Sequence, residues 1–395
     1  MKRRLLRDLV TSVSSWDPRK EQSDSFTYID IAAVDQEGKT ISGAREVPVS
    51  EAPSRARQLV CAGDVLVSTV RPNLNAVARV PEKLDGATAS TGFCVLRPGP
   101  EVLSEYLSQW VRTPEFVRNM TRQATGQSYP AVSDSIVKGS SLPIPDLAGQ
   151  ARIAAVLDQV DALRAKRRQA IDLLDDLTQS VFFEMFGDPF KNPKGFPVVS
   201  LESLVTHDDR INYGVVQPGS HCEDGVALIR AGDLRPDGVD RSSLMRISPD
   251  IESSYSRSRI RGNEILVGCV GAIGAVSVVS PEDVGSNVAR AVARVPIASD
   301  VDRQYLAAYL RMEFVQNYFE RELRTVAQPT LNIKQLKEAP VVLPPESLRA
   351  EFVDQFEAVI QQRETHLSHL TTLDELFGSL QQRAFSGRLW HYEAA

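Results

Sequence analysis

The sequence predicts an α+β chain built as an internal repeat, with two similar globular units and a long helix after each. Three observations carry this reading. The two halves align along most of their length at an offset of 199 or 200 residues. Each half mixes short alternating strands with Gly, Pro, Asn and Asp turns and one helical patch, a pattern of α+β folds rather than doubly wound sheets. Each then reaches a proline-rich stop followed by apolar residues at helical spacing. At 395 residues, 42% hydrophobic and 24% charged, the chain has the size of two or three domains. No apolar run approaches the roughly 20 residues that span a bilayer.

The first globular unit is expected over residues 1–148. Its basic amino terminus is followed by polar residues rather than an apolar stretch, so a secretory signal is not expected and the cytoplasm is the predicted address. The strand Asp64-Val65-Leu66-Val67-Ser68-Thr69-Val70 matches Glu264-Ile265-Leu266-Val267-Gly268-Cys269-Val270 in the second copy. Tyr106 matches Tyr305 in helical patches running from Ser104 to Met120 and from Asp302 to Leu323, and Leu142-Pro143-Ile144-Pro145 matches Val341-Val342-Leu343-Pro344. A helix over 149–187 then places Ile153, Val156, Val160, Leu163, Arg167, Ala170, Leu174, Leu177 and Val181 on a heptad frame. The second globular unit is expected over 188–345. The closing helix, 346–390, carries Phe356, Val359, Leu370, Leu373, Phe377 and Leu380 on a comparable stripe.

Charge and cysteine usage narrow the function classes. The net charge is −6, unlike a uniformly basic nucleic-acid binder. The globular units are near neutral, with 18 basic against 17 acidic residues in the first and 18 against 20 in the second. The acidic excess falls on the closing helix. Cys61, Cys94, Cys222 and Cys269 show no Cys-x-x-Cys spacing and read as reduced thiols, neither a disulfide framework nor a zinc site.

No enzyme constellation assembles from the sequence. Gly268, Gly271 and Gly274 have the wrong spacing for a dinucleotide loop, and the matching stretch Ser68 to Leu74 has no glycine, which favours a hairpin turn. Glu37 and Lys39, with Asp24 or Asp30 upstream, formally fit a metal-dependent nuclease pattern, but the repeat has only an Asp-Gly turn there. His366 and His369 lack a third ligand. No cofactor and no metal are expected.

The purposeful residues are polar and basic. Arg257, Arg259 and Arg261 would share one face if the run were extended, and guanidinium forks suit phosphates and guanine edges. Arg71, Asn73 and Asn75 lie in the first hairpin. Two loops at equivalent positions carry Gln127, Ser128 and Tyr129 in one half and Gln328, Thr330 and Asn332 in the other. Lys138, Lys334 and Lys337 follow them, and Tyr213, Gln217 and Arg230 complete the candidate DNA-contacting set.

The segment from Gly149-Gln150-Ala151-Arg152-Ile153 to Phe182-Phe183-Glu184-Met185-Phe186-Gly187-Asp188-Pro189 resembles the central helix of specificity subunits from type I restriction-modification systems. The repeated strand and the Leu-Pro-Ile-Pro stop extend the likeness over essentially the whole chain. The resemblance implies a non-catalytic subunit with two target-recognition domains, each reading half of a bipartite double-stranded DNA target. It implies that the two long helices pair antiparallel as a coiled-coil spacer. Two methyltransferase subunits would assemble on the helical regions, for which Ile153, Val160, Leu174, Leu177, Phe356, Leu373 and Phe377 are the candidate contacts, and a motor-endonuclease subunit would join the full complex. A related system whose partner fuses methylation and cleavage would use a similar subunit. As one helix, residues 151–181 would span about 46 Å, longer than one DNA turn of roughly 34–36 Å. A target with an unread central spacer is therefore expected. The unlike loops of the two halves predict an asymmetric site.

Overall fold

The computed structural model describes residues 2–20, 23–236, 238–323 and 329–389. The chain divides into two compact units, residues 1–169 with 368–395, and residues 170–367. These units do not follow the sequence boundaries at 148, 187 and 345. The long helices, α1 (Leu147–Phe186) and α2 (Glu346–Phe385), each contribute a segment to both units. The reason is physical, since each helical segment buries its apolar stripe against the globular part beside it.

Both helices stop on a left-handed glycine. Gly187, at φ 80°, donates its N–H to the Phe183 carbonyl at 2.8 Å. Gly387, also at φ 80°, lies 200 residues on, and the next residue, Arg388, donates to the Arg383 carbonyl. A residue with a Cβ is strained in that conformation, which is why glycine marks helix ends. At the other end of α1, the Asp146 carboxylate accepts from the Gly149 N–H at 2.8 Å.

In the first unit a four-stranded antiparallel sheet runs in the order Val10–Thr11, Phe93–Pro98, Val65–Ser68, Val77–Arg79. A second sheet orders Arg45–Pro48, Ser25–Ile29, Thr88–Ser90 and Ala56–Leu59, with its central pair parallel. Arg3–Leu5 pairs with Ser141–Pro143 and ties the start of the unit to the proline-rich stop. The second unit repeats the scheme. Val292–Pro296 and Val276–Val278 flank Glu264–Gly268, Val226–Ile229 lies parallel to Asn287–Val288, and Val198–Ser200 pairs with Pro340–Val342. The repeat holds to single atoms. The Tyr106 hydroxyl donates to the Pro143 carbonyl at 2.7 Å, and the Tyr305 hydroxyl donates to the Val342 carbonyl at 2.7 Å.

The glycine run of the second copy closes a tight hairpin. A Cβ on Gly268 would lie 2.0 Å from the Ala272 carbonyl oxygen, and Gly271 and Gly274 both have φ 78°.

The helical seam sits one residue away from the heptad frame at alternate positions. Ile153, Leu157, Val160 and Ile171 are buried, whereas Leu163 and Leu177 are exposed. Arg164 and Thr178 take the inward positions beside them. Arg164 pairs with Asp374 at 2.5 Å and lies 4.6 Å from the Phe377 ring centroid, and Thr178 donates to the Leu174 carbonyl. In the second unit Phe182 and Phe186 pack on Phe352, with ring centroids 5.6 and 5.3 Å apart, and Arg363 pairs with Asp175 at 2.6 Å. Within the second unit these contacts move up α1 while moving down α2, so the two segments there run antiparallel.

This geometry corrects the partner-contact expectation. Ile153, Val160 and Phe377 belong to the core of the first unit, with the half-buried Leu373 packed against it, and Phe356 belongs to that of the second, so they hold the chain's own helices to its globular parts. Leu174 is half-buried, and Leu177 alone of the seven candidates faces solvent. Among the described residues no helix is long and apolar enough to cross a membrane.

Candidate nucleic-acid interface

Each unit gathers its strand ends into a hub by the same backbone bonds. In the first, the Thr69 N–H donates to the Gly92 carbonyl at 2.9 Å and the Val132 N–H donates to the Thr69 carbonyl at 2.9 Å. In the second, Cys269 donates to Ala291 at 2.8 Å and Leu331 to Cys269 at 3.0 Å. A chain segment far away in sequence is thereby locked to the hairpin. The exposed residues that follow it are held in place rather than left as free loops.

In the first hub Arg71 adopts φ 49° and its N–H donates to the Pro130 carbonyl at 2.7 Å. Its guanidinium lies over the Tyr129 ring, 4.9 Å from the centroid, a cation–π contact that orients both groups. Tyr129 is 69% exposed, and Asn73, Gln127 and Ser128 are exposed on the same loops. These five sequence-predicted residues are brought together. Asn75 is not one of them. Its side-chain amide donates to the Val111 carbonyl, and its oxygens accept from the Lys39 ammonium at 2.6 and 3.2 Å. Lys138 ends the short helix Asp134–Lys138 in a loose pair with Asp134.

In the second hub Tyr213 turns inward. Its hydroxyl donates to the Leu331 carbonyl at 2.9 Å, and burial pushes its pKa up to about 12. Gln217 is exposed, and Asn332 begins the helix Ile333–Glu338. Thr330 is half-buried at its edge. Lys334 is exposed with a loose pair to Glu338, while Lys337 is drawn 2.7 Å from Glu202. Gln328 lies outside the described residues.

The arginine run is corrected. Ser256–Ser258 is a 3-10 turn and not a strand, so the three side chains do not alternate onto one face. Arg259 forks onto Glu252 at 2.7 and 2.5 Å, and Arg261 reaches Asp209 at 3.0 Å. Glu252 is buried and needs its charge matched. Arg257 is exposed and has no ion pair among the described residues. Arg230 likewise forks onto Asp233 at 3.0 and 2.9 Å.

The nuclease pattern does not assemble. Glu37 pairs with Arg168 at 2.6 Å, and Asp30 caps the turn Ile31–Ala33. Lys39 is desolvated, which with the nearby Arg112 charge lowers its pKa to about 8. Among the described residues no group of three His, Cys, Asp or Glu side chains could hold a metal.

One exposed cation at the second hub escaped sequence reasoning. Arg290 follows the short strand Asn287–Val288, and its N–H donates to the Val215 carbonyl at 2.8 Å. Its match in the first copy is Thr91, so the repeat gave it no emphasis.

A duplicated α+β chain with a built, polar hub in each copy is the class of protein that this geometry defines. Residues 59–173 match the family model described as the type I restriction modification DNA specificity domain. The chain is 31% identical over 304 residues to the EcoBI specificity subunit of a type I restriction enzyme from Escherichia coli, which covers 70% of this chain and 64% of that one. The match therefore spans less than two thirds of that relative's length. A chain solved in work on complex assembly and conformational transition of the type I R-M system is 26% identical, with a TM-score of 0.57 and 98% of both chains covered. The type I restriction-modification S subunit from M. genitalium shares the fold, at 12% identity and a TM-score of 0.57 over 97% of this chain and 96% of that one. The chain belongs to the family of type I restriction-modification specificity subunits.

Proposed function

We propose that this chain is the non-catalytic DNA-reading subunit of a type I restriction-modification complex, each hub reading one half of an asymmetric bipartite duplex target. The observation that carries the proposal is the pair of hubs, alike in two equivalent backbone bonds and unlike in exposed side chains, with Arg71, Asn73 and Gln127 at one and Gln217 and Arg290 at the other. Equivalent frames with different donors suit two different base sequences. In this reading residues 1–148 and 188–345 act as target-recognition domains, and the helices over 149–187 and 346–390 set an unread spacer. The same helices carry two methyltransferase subunits and, in the full complex, motor-endonuclease subunits. With the candidate partner residues largely buried, the outward positions Leu163, Leu173 and Leu177 are the better docking contacts. The near-neutral globular units make DNA binding by the chain alone weak, because phosphate neutralisation supplies most non-specific affinity.

Arg71 tests the proposal. In the complex with its methyltransferase, Arg71→Ala should relax discrimination at one or two base pairs of a single half-site by about 1–3 kcal/mol. Competition binding against duplexes substituted at each position measures it. A uniform loss across both halves would contradict half-site reading.

A further inference from the structure

We propose that Arg290 is the guanine reader of the second unit. The inference rests on the DNA-reading function above and names a residue and a base for it.

Several chain segments converge at Arg290. Its own N–H is bonded to Val215, and the preceding Ala289 donates to the Ile229 carbonyl at 2.9 Å. The following Ala291 carbonyl accepts from both Cys269 and Val270. Leu331 closes on Cys269 from the other side, and the Tyr213 hydroxyl fastens Leu331 in turn. The backbone on both sides of Arg290 is therefore fixed by bonds to separate elements. The side chain is left exposed, with no hydrogen bond or ion pair among the described residues. Six other arginines of this unit, Arg230, Arg235, Arg241, Arg259, Arg261 and Arg294, are paired with acids, so their forks are already occupied. Val215, bonded to the Arg290 backbone, is followed directly by the half-exposed Val216 and the exposed Gln217, so an apolar side chain and an amide come next in the chain after that bond.

A rigidly rooted guanidinium without an acid partner among the described residues suits bidentate donation to the O6 and N7 acceptors of guanine through a planar fork that lysine lacks. The first unit has Thr91 at this position and presents its arginine from the hairpin, as Arg71. The two units thus offer the same fork from different corners of one frame. Their guanine contacts should then fall at different places within the two half-sites.

The test uses the full chain assembled with its methyltransferase, and compares Arg290→Ala and Arg290→Lys against duplexes substituted singly across both half-sites. Arg290→Ala should lose tenfold or more of its preference for guanine at one position of one half-site, without changing the other half. Arg290→Lys should keep the salt dependence of binding but not the guanine preference. An equal loss on every sequence would make Arg290 a phosphate contact and overturn the proposal. So would unchanged recognition by the alanine variant, with thermal unfolding confirming the fold. Absence of sequence preference in the unmutated complex would instead remove the DNA-reading function itself.

Discussion

Arg294→Met should destabilise the second unit by about 3–5 kcal/mol, the scale of a broken buried ion pair. Arg294 and Glu264 have fully buried side chains. The Arg294 guanidinium donates to Glu264 Oε1 at 2.9 and 2.6 Å and to Asp209 at 2.8 Å, while the Arg261 N–H donates to the same Oε1 and the Gly262 N–H to Oε2. Burial alone would raise the Asp209 carboxyl, but hydrogen bonds from Arg294 and the Arg210 N–H, with the Arg294 and Arg261 charges, hold it below the usual range. Without the guanidinium, Glu264 keeps two backbone donors and an unmatched charge in the core strand Glu264–Gly268. Replacing Glu264 by glutamine in the same chain should recover part of the loss, because the uncompensated charge is the costly element. Urea unfolding followed by circular dichroism measures both. A change below about 1 kcal/mol for Arg294→Met would mean that the pair contributes no more than an exposed one.

Exchanging residues 1–148 for the matching segment of another family member should replace one half of the recognised target and leave the other unchanged. The junction falls where α1 begins, but it crosses a packed core. Tyr106 stacks on Phe385 of α2 at 5.2 Å, and the Gln150 side chain bridges the Leu103 N–H and the Glu101 carbonyl. A donor segment that lacks these contacts should lower thermal stability without mixing the two specificities. Methylation patterns of the chimera check this outcome. A change in both halves of the target would contradict separate reading by the two units.

The repeat was legible in the sequence because duplicated strands keep their alternation and their turn residues, and Tyr106 with Tyr305 marks one hydrogen bond made twice. The long helices were legible from apolar spacing, yet their inward face was misread. Leu163 and Leu177 are apolar but point outward, whereas Arg164 lies in the seam because Asp374 and Phe377 accept it there. The arginine run failed for a related reason. Its acids come from Glu252 and Asp209, and the Asp209 contact lies 52 residues away, so adjacency in sequence concealed that two of the three cations are matched. Arg290 was invisible for the opposite reason, since its setting is made of segments that only the fold brings together.

Under the proposed function one chain reads two unlike half-sites. The most direct measurement is to co-express it with its methyltransferase and map methylated bases across a genome by single-molecule sequencing. The expected result is a single asymmetric motif in two parts, with a gap of fixed length in which every base is tolerated. A short continuous motif, or two identical half-sites related by symmetry, would contradict it.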